Sequence, residues 1–310
     1  MKTKFLAFFF ALAMANIVPF TAYGDESVIN GVTWYYTPNG DGTAAIIGGA
    51  MESGESLHGV VTIPSSVNGL AVTEIAAVDS EPFATADSIT SLTIPEGVTT
   101  IGEGAFNSCT SLETVNLPAS LTTIGLRAFS FCDSLTSFEL AENNTAFELK
   151  EGCLFRNGTT TLALYPSGRD TFEFSDVNVT AIGDGACYGC YSIAGVTIPD
   201  TVTEIGAQAF FSCPSLVEIV VPSSVTTIGD QAFASCGSFS DSGTVEKIHL
   251  PVELRPDSDE DVEAFIKRIF WYKNGMMEDG PDPSIVIWEG EEPGPVVATW
   301  IGGSGEFQSG

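Results

Sequence analysis

Positive charge is scarce in this chain. Lysine and arginine total 11 against 40 aspartates and glutamates, a net charge of −29. A field of that sign repels nucleic acid and anionic membrane surfaces, so neither is an expected partner. It favours solubility and attracts cations or basic partners, and a solvated acidic surface explains it more simply than a dedicated cation site. Histidine is rarer still: His58 and His249 are the two in the chain, too far apart for a two-histidine metal site. No serine nucleophile elbow, glycine-rich phosphate loop or metalloprotease helix occurs. The expectation is therefore a protein that is not an enzyme, with no catalytic residues, no cofactor and no metal.

Long apolar runs are confined to the N-terminus. Lys2 and Lys4 precede an apolar stretch from Phe5 to Ala15, and Ala22-Tyr23-Gly24 offers small residues at the two positions a signal peptidase reads. The run is short of the roughly 20 residues a membrane span needs, and Asn16 and Pro19 interrupt its extension. Residues 1–24 thus read as a secretory signal peptide cleaved before Asp25, giving a secreted, extracellular or cell-surface protein with no integral membrane segment in the mature chain. Without Lys2 and Lys4 the balance is 9 basic against 40 acidic residues, or −31.

Seven cysteines in an exported chain normally suggest disulfides. Their spacing argues otherwise, because they belong to a repeat. "LTIPEGVTTIGEGAFNSCTS" from Leu92 and "VNLPASLTTIGLRAFSFCDS" from Val115 match landmark for landmark at 23 residues: Ile94 with Leu117, Pro95 with Pro118, Ile101 with Ile124, Phe106 with Phe129, Cys109 with Cys132. The series resumes at Ile182, Ile205 and Ile228, and at Cys190, Cys213 and Cys236. Within one unit, Ser91-Leu92-Thr93-Ile94 alternates like a strand with one buried face. Proline ends the strand, since it has no N–H to give a ladder. The glycine of Ile-Gly suits a bend where a side chain would clash, and Ala-Phe drives a ring inward. One unit cannot bury these residues alone. Stacked units give a parallel sheet backed by a continuous apolar core, and 23 residues is a leucine-rich-repeat length.

The pattern "SLxxLxLPxxLxxIGxxAFxxC" resembles the repeat of BspA-like bacterial surface proteins, over roughly residues 60–251. Cys187, in "GDGACYGC", stands where that pattern has Phe. The implied fold is a leucine-rich-repeat solenoid with a parallel β-sheet on its concave face. Residues 25–59 form an N-terminal hairpin cap built on the turn Asn39-Gly40-Asp41-Gly42. A second hairpin, around Arg156-Asn157-Gly158, interrupts the solenoid over about residues 141–178. Residues 252–288 form a C-terminal cap of helix plus strand: Val262, Phe265, Ile266, Ile269 and Phe270 share one face of a helix from Asp257 to Phe270, and "SIVIW" follows at 284–288. Residues 289–310 read as linker and tail.

Several motifs invite chemistry and yield to simpler readings. Cys187-x-x-Cys190 has redox spacing, yet both positions are repeat positions and no helix follows to lower a thiol pKa. The ladder cysteines read as buried thiols filling small apolar sites, since stacked parallel side chains rarely reach disulfide torsions; Cys153 lies in the hairpin, away from the ladder. Asp257-x-Asp259-x-Asp261 opens like a calcium loop, but Val262 and Arg268 occupy the glycine and glutamate positions. Asn143, Asn157 and Asn178 begin N-x-Thr sequons.

The expected function is binding of an extracellular protein or cell-surface partner. The candidate face is the outward strand row Thr93, Asn116, Glu139, Thr197, Val220 and His249. Resemblance to BspA-like proteins implies adhesion to host or matrix proteins or to other cells. The alternative is a structural spacer that presents another domain at the cell surface.

Overall fold

The computed structural model describes residues 24–51, 53, 56–76, 83, 86–236, 247–256, 258–270 and 286–289. The expected signal peptide, apart from Gly24, and the tail beyond Glu289 lie outside the described residues. Two compact units divide the chain: Met1–Cys132 with Glu139–Ala146, and Asp133–Phe138 with Phe147–Gly310.

In the first unit, β1 (Asp25–Ile29), β2 (Val32–Pro38) and β3 (Thr43–Met51) form an antiparallel run, and β3 then pairs parallel with the repeat strands. β4 (His58–Thr62), β5 (Ser66–Val67), β6 (Leu70–Ile75), β7 (Ser88–Thr93), β8 (Thr100–Ile101), β9 (Thr114–Leu117) and β10 (Thr123–Ile124) follow. Each coil contributes two strands, one on either side of its proline. One set stacks as β4, β7 and β9, and the other as β6 followed by the two-residue Thr-Ile strands β8 and β10, all parallel. Trp34, buried in the hairpin, meets Phe83 at 6.5 Å. Phe83, Phe106 and Phe129 then stack at 5.0 and 5.4 Å.

β11 (Ser137–Leu140) leads to the second unit's hairpin strands, β12 (Phe147–Lys150), β13 (Cys153–Arg156) and β14 (Thr161–Leu164), which pair antiparallel. Repeats then resume with β15 (Ala181–Ile182), β16 (Gly195–Thr197), β17 (Glu204–Ile205), β18 (Glu218–Val220), β19 (Thr227–Ile228) and β20 (Lys247–Pro251). β14, β15, β17 and β19 form one parallel set. β16, β18, β20 and the last strand, β21 (Val286–Glu289), form the other. α1 (Asp259–Phe270) buries Ile266 and Ile269 in this unit's core.

Backbone geometry explains the Ile-Gly pair. A Cβ on Gly206 would lie 2.6 Å from the backbone N of Asp184, and one on Gly229 would lie 2.3 Å from that of Ala207. The glycines are required because one coil's backbone rests on the next. Two left-handed residues also recur in each coil, four apart: Gly104 and Ser108, Arg127 and Phe131, Gly185 and Gly189, Gln208 and Ser212, Gln231 and Ser235. Their amides point along the stack, as when Gly185 N donates to Ala207 O and Gly189 N to Phe211 O. In the last described coil, amides that point along the stack meet the helix instead. There Gln231 N donates to Arg268 O and Phe233 N to Ile269 O, carbonyls in the last turn of α1. Arg268 Nη1 also donates to Ile228 O at 2.7 Å.

Candidate binding face

The outward row separates into two ladders, one in each unit. In the first, Thr62, Thr93 and Asn116 are direct neighbours on β4, β7 and β9. Glu139 projects from β11 and is exposed. In the second, Thr197, Val220 and His249 are direct neighbours on β16, β18 and β20, and Ile287 on β21 extends the row. The alternate residues of the same strands, Leu92 with Val115 and Val196 with Ile219 and Ile248, face the core. The period-two pattern therefore decides which residues any partner can touch.

The two ladders differ in chemistry. The first presents small polar groups. In the second, His249 lies between two carboxylates. Its Nδ1 is 2.6 Å from Glu289 Oε1, and its Nε2 is 3.5 Å from Glu218 Oε1 without hydrogen-bond alignment. Ile287 is 38% exposed beside it. Glu289 and Ile287 escaped the sequence reading because Glu289 on β21 lies 40 residues from His249 in sequence, beyond the 23-residue register. The aromatic residues Tyr188, Phe211 and Tyr191 escaped it too. Tyr188 and Phe211 stack at 4.8 Å and Tyr191 is 48% exposed. Their signal is legible: Tyr188 and Phe211 both sit one residue past the Phe slot.

The cysteines are free, and all but Cys236 are fully buried. They do more than fill space. Four of the five ladder thiols donate to a carbonyl of the preceding coil's Phe slot: Cys109 to Phe83 O, Cys132 to Phe106 O, Cys213 to Cys187 O and Cys236 to Phe210 O, at 3.0–3.4 Å. Burial, with Asp87 nearby, pushes the Cys109 thiol up to about 12. Burial raises Cys187, and Cys190, hydrogen-bonded to it, is also held well above the ordinary thiol value. Neither member of the C-x-x-C pair is an activated nucleophile. Cys153 corrects the expectation that placed it away from the ladder: β13 folds it into the same core cluster as Cys187 and Cys190. Phe172, from the chain following β14, meets Phe210 edge-on at 5.4 Å, where a phenylalanine at position 187 would stack. That contact explains the cysteine in the Phe slot.

A family description, BspA type Leucine rich repeat region, matches residues 76–164 and 163–251, as 6 copies. The chain belongs to that family. The matched residues include the stacked Phe and Cys positions of this BspA-type chain. Solved structures that resemble this BspA-type chain include a leucine rich cell surface protein from Faecalibacterium prausnitzii A2-165, at 19% identity, covering 81% of this chain and 96% of that one, with a TM-score of 0.34. A leucine rich repeat protein from T. pallidum shares 21% identity over 80% of this chain and 97% of that one, at a TM-score of 0.38. A leucine-rich repeat protein from Bacteroides ovatus ATCC 8483 shares 27% identity over 74% of this chain and 48% of that one, also at 0.38. No curated protein matches the chain. Among the described residues, no group of three or more His, Cys, Asp or Glu could hold a metal ion, and no helix is long and apolar enough to cross a membrane.

Proposed function

We propose that this BspA-type chain is an extracellular adhesion module that binds a protein or cell-surface partner through its outward strand rows. The observation that carries this reading is the register of the rows. Thr62, Thr93 and Asn116, and likewise Thr197, Val220, His249 and Ile287, stand side by side on successive parallel strands. Such a row offers side chains at strand spacing on a backbone fixed by the core behind it, and preorganisation of that kind lowers the cost of binding. In this reading residues 1–24 direct export, and β1–β3 and α1 with β21 act as end caps. The acidic surface favours a partner with basic groups.

The test is capture of matrix proteins and bacterial cells by the immobilised mature chain. One variant replaces Thr93, Asn116 and Glu139, a second replaces Thr197, Val220 and His249, and unchanged thermal unfolding confirms each fold. Loss of capture in either variant supports the reading. Equal capture by the parent and both variants overturns it.

A further inference from the structure

One arginine stands apart from the rest of the charge network. Arg127 pairs with Glu103, Arg169 donates to Thr136 O, and Arg268 donates to Ile228 O and Asp230. The Arg156 guanidinium makes no hydrogen bond or ion pair with any described residue, in a chain with 40 carboxylates; the residue's backbone carbonyl accepts from Thr159. Its exposed guanidinium is held over the Phe147 ring, 5.2 Å from the centroid, with all five N–H donors unspent.

It faces a recess of about 280 Å³ within the second unit. Arg156 ends β13, and Thr161, Ala181 and Glu204 follow as direct neighbours across β14, β15 and β17. Their alternates Leu162, Ile182 and Ile205 are buried, so this row faces outward. The small side chain of Ala181 leaves the gap, and Gly183 extends the lining. That glycine cannot be filled: a Cβ there would lie 2.8 Å from Leu162 O. Across roughly 14 Å of sheet, three strand spacings, the row has a cation at one wall and at the other Glu204, whose carboxylate has no partner among the described residues.

We propose that this recess binds a small molecule with a carboxylate at one end and hydrogen-bond donors at the other, such as a sugar acid or an amino acid. The guanidinium fork takes the carboxylate in a bidentate pair. Thr161 and Glu204 accept from hydroxyl or ammonium groups across the gap. The recess depends on the interrupting hairpin, which supplies its cationic wall, and it is independent of the strand rows proposed above for adhesion.

Amide chemical shifts of the labelled mature protein, titrated with glucuronate, γ-aminobutyrate and glucose, test the proposal. Saturable shifts at Gly183 and Asp184 with either acid are expected, with glucose giving none. Saturation by glucuronate alone identifies a sugar acid as the ligand class, and saturation by aminobutyrate alone an amino acid. Arg156→Gln weakens binding about tenfold or more and Arg156→Lys less, because lysine keeps the charge without the fork. Glu204→Gln weakens the aminobutyrate complex more than the glucuronate complex. Saturable binding of glucose at the same amides, unchanged affinity in a folded Arg156→Gln protein, or no saturable shift with either acid overturns the proposal.

Discussion

At the scale of single residues, the repeat works by close approach and by buried polar groups that find partners along the stack. Gly206 is the sharper test of the first. Any side chain there meets the backbone of Gly183 and Asp184 at 2.6–2.7 Å, and backbone cannot step aside as a flexible side chain can. Gly206→Ala should cost several kcal/mol, on the order of other steric insertions into a packed core, read as a fall in the denaturant midpoint. Replacement of exposed Thr203 by alanine should stay within about 0.5 kcal/mol, as surface changes do. The thiols test the second idea. Burial raises Cys109 and Cys153 to about 12 from an unfolded value of 9.0. A group whose folded pKa is raised contributes stability in full below its unfolded pKa and loses it as pH climbs toward the folded one. Stability should therefore hold up to about pH 9 and decline from there toward pH 12, by about 1.4 kcal/mol per pH unit for each such thiol. Urea titrations across that range check it; a flat profile would count against buried neutral thiols. Below pH 9, a thiol reagent should label the six buried cysteines of the native chain only as fast as it opens, with Cys236, the one partly exposed thiol, reacting first.

At the scale of elements, the interrupting hairpin rewrites the core it enters. Phe172 packs on Phe210 beside Cys187, so ring and thiol share one volume. Cys187→Phe should overpack the site at a cost of about 1–3 kcal/mol, and Phe172→Ala should cost about 3–5. The double variant should be more stable than the sum of the two losses predicts, because the new ring enters the space the old one left. Strict additivity would show that the two positions do not compete. This element also marks where the sequence stops being legible. The 23-residue register reveals the coils, their inward residues and the strand rows, because each follows from spacing alone. The odd cysteine at 187 was visible as a departure, but its cause was not. The cause is a ring from residue 172, outside the register, placed by the path of an irregular segment. Likewise the Thr-Ile strands are only two residues long, too short for a period, and they become a sheet only when coils stack. The helix was legible from its apolar face; that its final carbonyls receive Gln231 N and Phe233 N was not, since a C-terminal carbonyl has no sequence signature. Arg268→Ala should loosen that junction, raising hydrogen exchange at Gln231 and Phe233 while leaving the Gly185 and Gly189 amides protected.

At the scale of the whole molecule, charge acts on stability and on binding with opposite signs. Forty acidic residues against 11 basic ones repel one another in the folded chain, and self-repulsion of this kind destabilises a compact state. Isolated exposed pairs such as Arg127 with Glu103 and Lys150 with Glu148 contribute at most about 1 kcal/mol each, too little to offset so large an imbalance. Salt shortens the reach of these interactions to about 8 Å at physiological ionic strength and to about 3 Å at 1 M. Raising NaCl from low to near-molar concentration should therefore raise the unfolding temperature. The same screening weakens steering toward a basic partner, so a partner recognised through the acidic surface should associate more slowly as salt rises, over the range in which the fold itself becomes more stable. Thermal unfolding and association rates measured on one salt series separate the two effects. A partner whose association rate is insensitive to salt would have to be recognised by the short-range chemistry of the strand rows, the small polar ladder of Thr62, Thr93 and Asn116 and the ladder around His249 and Ile287, and replacement of those residues rather than of surface carboxylates would then abolish capture.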